Sequence, residues 1–209
     1  SNELFIDDES STLSFLDEIF GVHQKGYGVI EIRVYKDTLN RLLSPTFEKL
    51  EKVTKPVSFF RKTDDVVNPF SVFNEELLPE FISISKSCFC RCALLSSPDQ
   101  TASNLKKLIK IFMTENFNPL MNSFVKVCAD FIVQNPDDVL NIPKYLKIIM
   151  LLNSNILCLE DVYISTLKNI LRPYSDVHSQ YLRQKDEVLE SLEKETVNGL
   201  QICIDCASN

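Results

Sequence analysis

The cysteines of this 209-residue chain come nearest to a pattern that could do chemistry. Cys203-Ile-Asp-Cys206 has the CxxC spacing of redox-active thiols and zinc sites. Redox pairs sit where a helix begins beside a strand, whereas this pair ends a predicted helix. Zinc needs a second ligand pair, which Cys88, Cys90 and Cys92 could supply in principle. On a helix, however, Cys90 points away from the other two, so we interpret these cysteines as core residues.

The cysteine count also bears on the cellular compartment. Seven is an odd number, and we expect no signal peptide, so a reducing, cytosolic environment is the simplest interpretation. The chain ends in a CaaX-like sequence at Cys206, but Ser208 and Asn209 suit prenylation poorly. Five cysteines on apolar helix faces are expected to be reduced and mostly buried: Cys88, Cys92, Cys128, Cys158 and Cys203.

The two histidines, His23 and His178, offer no catalytic set. His23 follows a predicted helix beside a glycine-containing turn, and His178 begins the last helix, neither in a setting that suggests a nucleophile or its base. The chain has no phosphate-binding glycine loop, no GxGxxG and no calcium-binding loop. We therefore predict a protein that is not an enzyme, with no cofactor and no catalytic, cofactor-binding or metal residues. A cysteine- or zinc-dependent activity at Cys203 and Cys206 is the alternative, and metal analysis with thiol titration would separate the two.

The charge and hydropathy of the chain bear on which classes of partner it can bind. The net charge is −7, and no run of lysine and arginine is longer than two residues. Nucleic-acid binding requires clustered basic residues, so we predict no nucleic-acid partner. No apolar run approaches the roughly 18 residues of a membrane span, so no transmembrane segment is expected.

Glycine scarcity and helical periodicity predict the fold class. Only four glycines occur in the chain, fewer than turn-rich β folds need. Apolar residues recur three and four apart along most of the sequence. We predict an all-α antiparallel bundle or rod of six or seven stacked helices, and assign every apolar stripe to its core.

The N-terminal part is predicted to hold two helices and a linker. Ser10 or Ser11 caps a first helix, which Gly21, Gly26 and Gly28 then break. A second helix, with a bend allowed at Pro45, is predicted over residues 29–53. A strand over residues 29–35 remains the alternative. Residues 56–69 have no sustained period and form the boundary between residues 1–69 and a C-terminal bundle over residues 70–209.

The C-terminal part is predicted to hold the remaining helices. One spans residues 70–95, and another, capped by Thr101 or Ser103, continues to about residue 133 with a kink or split at Pro119. Residues 135–138 form a turn. Two further helices span residues 145–157 and 159–171, and Pro173 ends the second.

The last helix, residues 181–205, has the clearest amphipathic pattern. Charged residues fill one face, and Leu200, Ile202 and Ile204 are expected to join the apolar stripe near the end. The stripe itself is Leu182, Leu189, Leu192, Thr196, Gly199, Cys203 and Cys206.

This helix carries most of a family resemblance. Residues 182–205, LRQKDEVLESLEKETVNGLQICID, resemble the C-terminal region of the Sec-ten family, the exocyst subunits and their F-box-containing recycling relatives. Residues 93–100 resemble the family's loop between two helices, and residues 144–173 its pair of helices before the last one. The residues that fit the family pattern in the last helix are Leu182, Lys185, Val188, Leu189, Glu193, Gly199, Leu200, Ile204 and Asp205.

The resemblance implies a non-enzymatic vesicle-tethering or recycling scaffold built from stacked helices. It implies protein partners, namely tether subunits, Rab-type small GTPases and SNAREs. It also implies a cytoplasmic location, peripheral to vesicle, endosomal or plasma membranes through those partners. Because the apolar stripes are assigned to the core, binding is expected on polar and charged surface and should weaken with salt. A generic helical adaptor without a trafficking role is the alternative, and identifying captured partners would separate the two.

Overall fold

The computed structural model describes residues 6–54, 68–72, 74, 76–135 and 140–208, with side chains in the first helix described from residue 18. The described secondary structure is helical, which confirms the all-α prediction. The helices are α1 (Ile6–Thr54), α2 (Leu77–Leu95), α3 (Pro98–Lys110), α4 (Asn118–Gln134), α5 (Asn141–Val162), α6 (Lys168–Leu171) and α7 (Ser175–Ala207).

Two of these boundaries are changes of helical pitch, not interruptions. A π-helical segment, Ile111–Phe117, joins α3 to α4, and a second one, Tyr163–Leu167, joins α5 to α6. Five continuous helices therefore make up the described chain, where the sequence predicted six or seven. Pro119 does not split its helix. The π-helical segment lies just before Pro119, and within it the Asn116 side chain donates a 2.7 Å hydrogen bond to the Ile111 carbonyl.

The predicted break in α1 is wrong. Gly21, Gly26 and Gly28 all take helical backbone angles, and the helix runs unbroken from Ile6 to Thr54, through Pro45. Each glycine costs about 1 kcal/mol relative to alanine but does not end a helix that tertiary contacts hold. At Gly28 a Cβ would lie 1.8 Å from Asn104 Nδ2, so close packing against α3 explains that glycine.

The same continuity removes the strand alternative at residues 29–35. It also places His23 inside α1, where it is exposed, and not at a turn. The helix predicted over residues 29–53 is confirmed as part of α1.

The starts of α2 and α3 differ from the prediction by several residues. Asn68 accepts a hydrogen bond from Phe70 N–H at 2.9 Å, and a 3₁₀ turn, Pro69–Ser71, forms there instead of helix. α2 begins only at Leu77. α3 begins at Pro98, because proline suits the first helical position, and Thr101 lies within the helix, donating back to the Ser97 carbonyl.

The pair of helices predicted before the last one is a single helix over residues 141–171, since no residue near 158 breaks its pattern. The predicted turn at residues 135–138 lies largely outside the described residues. The final helix is longer than predicted at both ends, and α6 ends before Pro173 as expected.

An aromatic cluster lies where α2 meets the first π-helical segment. The rings of Phe81 and Phe112 stack at 5.3 Å, and Phe89 meets Phe112 edge-on at 5.7 Å. All three side chains are fully buried. Such pairs add about 0.5–1.5 kcal/mol beyond the burial of their area, so this cluster anchors the bundle.

α1 joins the same core through one face. Tyr35, Leu39 and Leu43 are buried with the residues of α2 to α7, and the Tyr35 hydroxyl shares a 2.7 Å hydrogen bond with Ser85 on α2. The division between residues 1–69 and 70–209 stays a proposal, because residues 55–67 around it lie outside the described ones.

A buried carboxylate fixes the crossing of α1 and α2. Glu31 is only 5% exposed and accepts hydrogen bonds from Arg91 Nη2 at 2.6 Å and from the Tyr27 hydroxyl at 2.7 Å. Burial alone would raise the pKa of Glu31, but these hydrogen bonds lower it below its usual value. Burial and the bond to Glu31 raise the pKa of Tyr27 to about 12.

The phase of α7 is close to the prediction but not identical. Leu192, Gly199 and Cys203 are buried as predicted, whereas Leu189 is half-buried and Val188 takes the core position. The expectation that Leu200 and Ile204 join the core is wrong. Both are exposed, because they lie about 100° around the helix from the buried face.

Candidate interaction surface

Four of the seven cysteines are buried in the core. Cys203 is buried near the end of α7, and burial, then the neighbouring Cys206, raises the pKa of its thiol, the opposite of an activated thiolate. Cys88 and Cys92 lie buried on one face of α2, while Cys90 is exposed, as helix geometry predicted. Within the described residues no three histidine, cysteine or acidic side chains gather as a metal site.

The five cysteines expected to be free are free, and four of them are buried. Cys158 differs, since it is only half-buried on α5. Burial raises the pKa of the Cys128 thiol to about 12.

His178 has a structural role in the first turns of α7. Its Nε2 shares a 2.7 Å hydrogen bond with the Tyr163 hydroxyl, and the two rings stack at 5.7 Å. Tyr163 also stacks on Tyr181 at 5.4 Å, and Lys185 lies over its ring while pairing with Glu160 at 2.5 Å. These contacts tie α7 to the second π-helical segment. They involve no cysteine.

Surface clefts are shallow and open. One, of about 470 Å³, lies between α1 and α4, and its charged residues Glu51, Lys126 and Asp130 are exposed at the rim. A small-molecule site is instead usually a concave pocket that buries most of its ligand. This cleft is therefore better suited to contact with another surface than to catalysis.

The first half of α1 presents an apolar face away from the bundle. We call Ile19, Val22, Gly26, Val29 and Ile30 the outer α1 face. They recur three and four apart, opposite the buried Gly28, Glu31 and Tyr35. Val22 and Val29 are 71% and 67% exposed.

α5 presents a second apolar face, which we call the outer α5 face. It consists of Leu146, Met150, Leu157 and Ile164, of which Met150 and Leu157 are 71% and 69% exposed. They point away from the buried Ile148, Leu152 and Leu159 of the same helix. The stripe covers 18 residue steps, or roughly 27 Å of helix.

These two faces are what the sequence interpretation missed. The periodicity of α1 and α5 was assigned to the core, but each helix carries apolar residues on both sides. Large apolar residues gathered on a solvent-facing side of a helix are a feature of interaction sites, although Asn153 and Glu160 interrupt the row on α5. The signal was present in the sequence as an apolar stripe wider than one buried face requires.

The apolar character of α5 has another consequence. The helix Asn141–Leu171 is long and apolar enough, by length and composition alone, to cross a membrane, and 29% of its most apolar window is buried. The expectation of no transmembrane segment therefore meets one exception among the described residues. A core helix of a soluble protein passes the same test, so this is weak evidence for a span.

Comparison with known proteins decides the family. A family described as exocyst complex component Sec10-like, alpha-helical bundle, matches residues 32–209. This chain belongs to the Sec10-like exocyst family. No curated protein and no solved structure matches it significantly. The resemblance of residues 182–205 to the Sec-ten family is thereby confirmed, and the match reaches further towards the N-terminus than the sequence indicated.

The Sec10-like match begins where α1 enters the bundle. The matched region starts at residue 32. Around this point Glu31 and Tyr35 are buried, whereas residues 18–27 are exposed or half-buried. The outer α1 face therefore lies entirely outside the matched region. The outer α5 face lies within it.

The Sec10-like pattern residues of α7 have two different roles. Gly199 lets α7 approach α5, because a Cβ there would lie 2.0 Å from the Tyr145 hydroxyl. Val188 is core, and Lys185 holds Glu160 of α5. Leu200 and Ile204, in contrast, are exposed, which suits contact with another surface and not packing within this bundle.

Proposed function

We propose that the chain is a non-enzymatic scaffold of membrane trafficking that works by binding other proteins. Membership of the Sec10-like exocyst family carries this proposal, since that family consists of tethering subunits. Tether subunits, Rab-type GTPases and SNAREs are the proposed partners. The proposed location is the cytoplasmic side of vesicle, endosomal or plasma membranes. Exocytosis or endocytic recycling is the proposed setting.

We further assign the primary contact with a tether subunit to the outer α5 face. Its spacing of 146, 150, 157 and 164 is that of one side of a coiled-coil seam, which a partner helix covers by knobs-into-holes packing. Salt bridges flank the face on either side, from Lys86 to Asp161 and from Lys185 to Glu160. These bridges hold α5 against α2 and α7, so the face is presented by a rigid helix.

An apolar contact changes the expected salt dependence. The sequence interpretation placed binding on charged surface and expected it to weaken with salt. Association through the outer α5 face depends mainly on burial of apolar area, which salt does not screen. Binding should therefore persist at high ionic strength.

Affinity capture tests the proposal. The purified chain is offered fragments of exocyst-type tether subunits, SNAREs and small GTPases in both nucleotide states, beside a control helical bundle. We expect enrichment of a tether fragment, and its loss with the variant Met150→Glu. The matched control is Val133→Glu, which adds the same charge at an exposed apolar residue on α4. No enrichment of any trafficking protein over the control bundle would contradict the trafficking role.

A further inference from the structure

The outer α1 face contains a glycine, Gly26, that packing within the bundle does not explain. Gly26 lies in the middle of this exposed helical face, and no packing neighbour among the described residues lies within 4 Å of the place its Cβ would occupy. Glycine in an exposed helix costs about 1 kcal/mol relative to alanine. Asn104 explains Gly28, but no contact among the described residues explains Gly26. A small residue between exposed apolar ones suits the close approach of a second helix.

Charge identifies the second helix. The first 18 residues hold no lysine or arginine and six acidic residues, Glu3, Asp7, Asp8, Glu9, Asp17 and Glu18. Residues 19–36 hold Lys25, Arg33 and Lys36, and their single acid, Glu31, is buried against Arg91. One half of this segment is thus acidic and the other basic. A segment of this kind is complementary to itself when two copies run antiparallel.

We propose that two copies of this chain associate through antiparallel pairing of their outer α1 faces. Glu18 and Lys25 are seven residues apart and lie on the same flank of the face. In an antiparallel pair, Glu18 of one copy therefore lies beside Lys25 of the other. Two-fold symmetry forms this ion pair twice. Ile19 and Val22 then pack at the centre of the pair.

The geometry leaves the bundles apart. In this register residues 16–27 of one copy lie alongside residues 16–27 of the other, which is roughly 18 Å of α1 ahead of the buried Gly28. Pairing along that length therefore brings α1 against α1 without requiring contact between the two cores. The outer α5 face remains available, so this inference does not depend on the proposed trafficking function.

Sedimentation equilibrium of the full chain across micromolar concentrations tests the pairing. We expect a mass that approaches twice the 24.0 kDa monomer as concentration rises. Val22→Asp should abolish the rise. Val197→Asp is the matched control, because Val197 is a similarly exposed valine on α7, and it should leave the dimer intact. A wild-type chain that stays monomeric, or an equal effect of the two variants, would overturn the proposal.

A charge exchange tests the antiparallel register. Glu18→Lys and Lys25→Glu should each weaken the dimer by about tenfold, and the double variant should restore it. Failure of the double variant to recover would refute this register even if the chain is a dimer. Val22→Asp should still capture the tether fragment, so loss of dimerisation and loss of trafficking partners are separate results.

Discussion

The individual residues that could have supported catalysis serve as packing groups and partners instead. The buried thiols of Cys88 and Cys128 have raised pKa values because burial disfavours the thiolate, and His178 is hydrogen-bonded to Tyr163. Residue types alone suggested chemistry at Cys203 and Cys206. Their position at the end of a helix, visible in the sequence, argued against it, and the structure gives Cys203 the raised pKa of a core thiol.

Thiol reactivity follows from this placement. Cys90 is the only exposed cysteine, so we expect a single fast phase of labelling by a thiol reagent in the native state. Cys90→Ser should remove that phase, and urea should make all seven thiols react. Fast native labelling of Cys88, Cys92 or Cys128 would show that the core at α2 and α4 is not packed as described.

The Glu31 carboxylate should make stability depend on pH. Its pKa is lower in the folded chain than the ordinary 4.5, so it contributes stability that is fully present above that value and is lost as pH falls through the folded pKa. Glu31→Gln should cost about 1–3 kcal/mol near neutral pH, as for a hydrogen bond to a charged group. In the variant, the free energy of unfolding should also fall less steeply as the pH is lowered.

Urea unfolding at several pH values measures this effect. Glu190→Gln is the control, because Glu190 is exposed and its loss should change stability by less than about 0.5 kcal/mol. Equal effects of the two substitutions would mean that Glu31 is not a buried, paired carboxylate.

At the scale of elements, the sequence predicted helices well and their ends poorly. Periodicity located all five continuous helices because amphipathic faces drive their packing. It failed at Gly21, Gly26 and Gly28, where local propensity favours a break but contacts such as Gly28 with Asn104 hold the helix. It placed the start of α2 at residue 70 instead of Leu77. The side chains of Asn68 and Asn74 accept hydrogen bonds from the backbone N–H groups there, and periodicity does not detect this competition.

The approach of α5 to α7 gives a prediction at this scale. Gly199→Ala places a methyl group against the buried Tyr145 ring and should cost about 1–3 kcal/mol, as overpacking does. Gly21→Ala is the matched control, since nothing lies within 4 Å of its Cβ position, and it should stabilise by up to about 1 kcal/mol through helix propensity. Thermal unfolding compares them, and a stabilised Gly199→Ala would contradict the close crossing.

At the scale of the whole molecule, one core supports two outward apolar faces. The sequence could not separate these from core residues, because a stripe of leucine and isoleucine reads the same whether it meets its own bundle or another protein. Only the three-dimensional arrangement shows that α5 is covered on one side by α4 and α7 and left open on the other. An acidic surface with apolar faces on rigid helices suits a scaffold that assembles with other helical proteins.

Site-specific photo-crosslinking in cells tests this account most directly. A photoreactive phenylalanine analogue replaces Leu157 at the centre of the outer α5 face or, as control, Lys107, an exposed residue on α3. Crosslinked proteins are then identified by mass spectrometry. We predict exocyst-type tether subunits crosslinked from position 157 and not from position 107. Crosslinks from position 157 without any trafficking protein enriched over position 107 would contradict the assignment of this chain as a tethering scaffold.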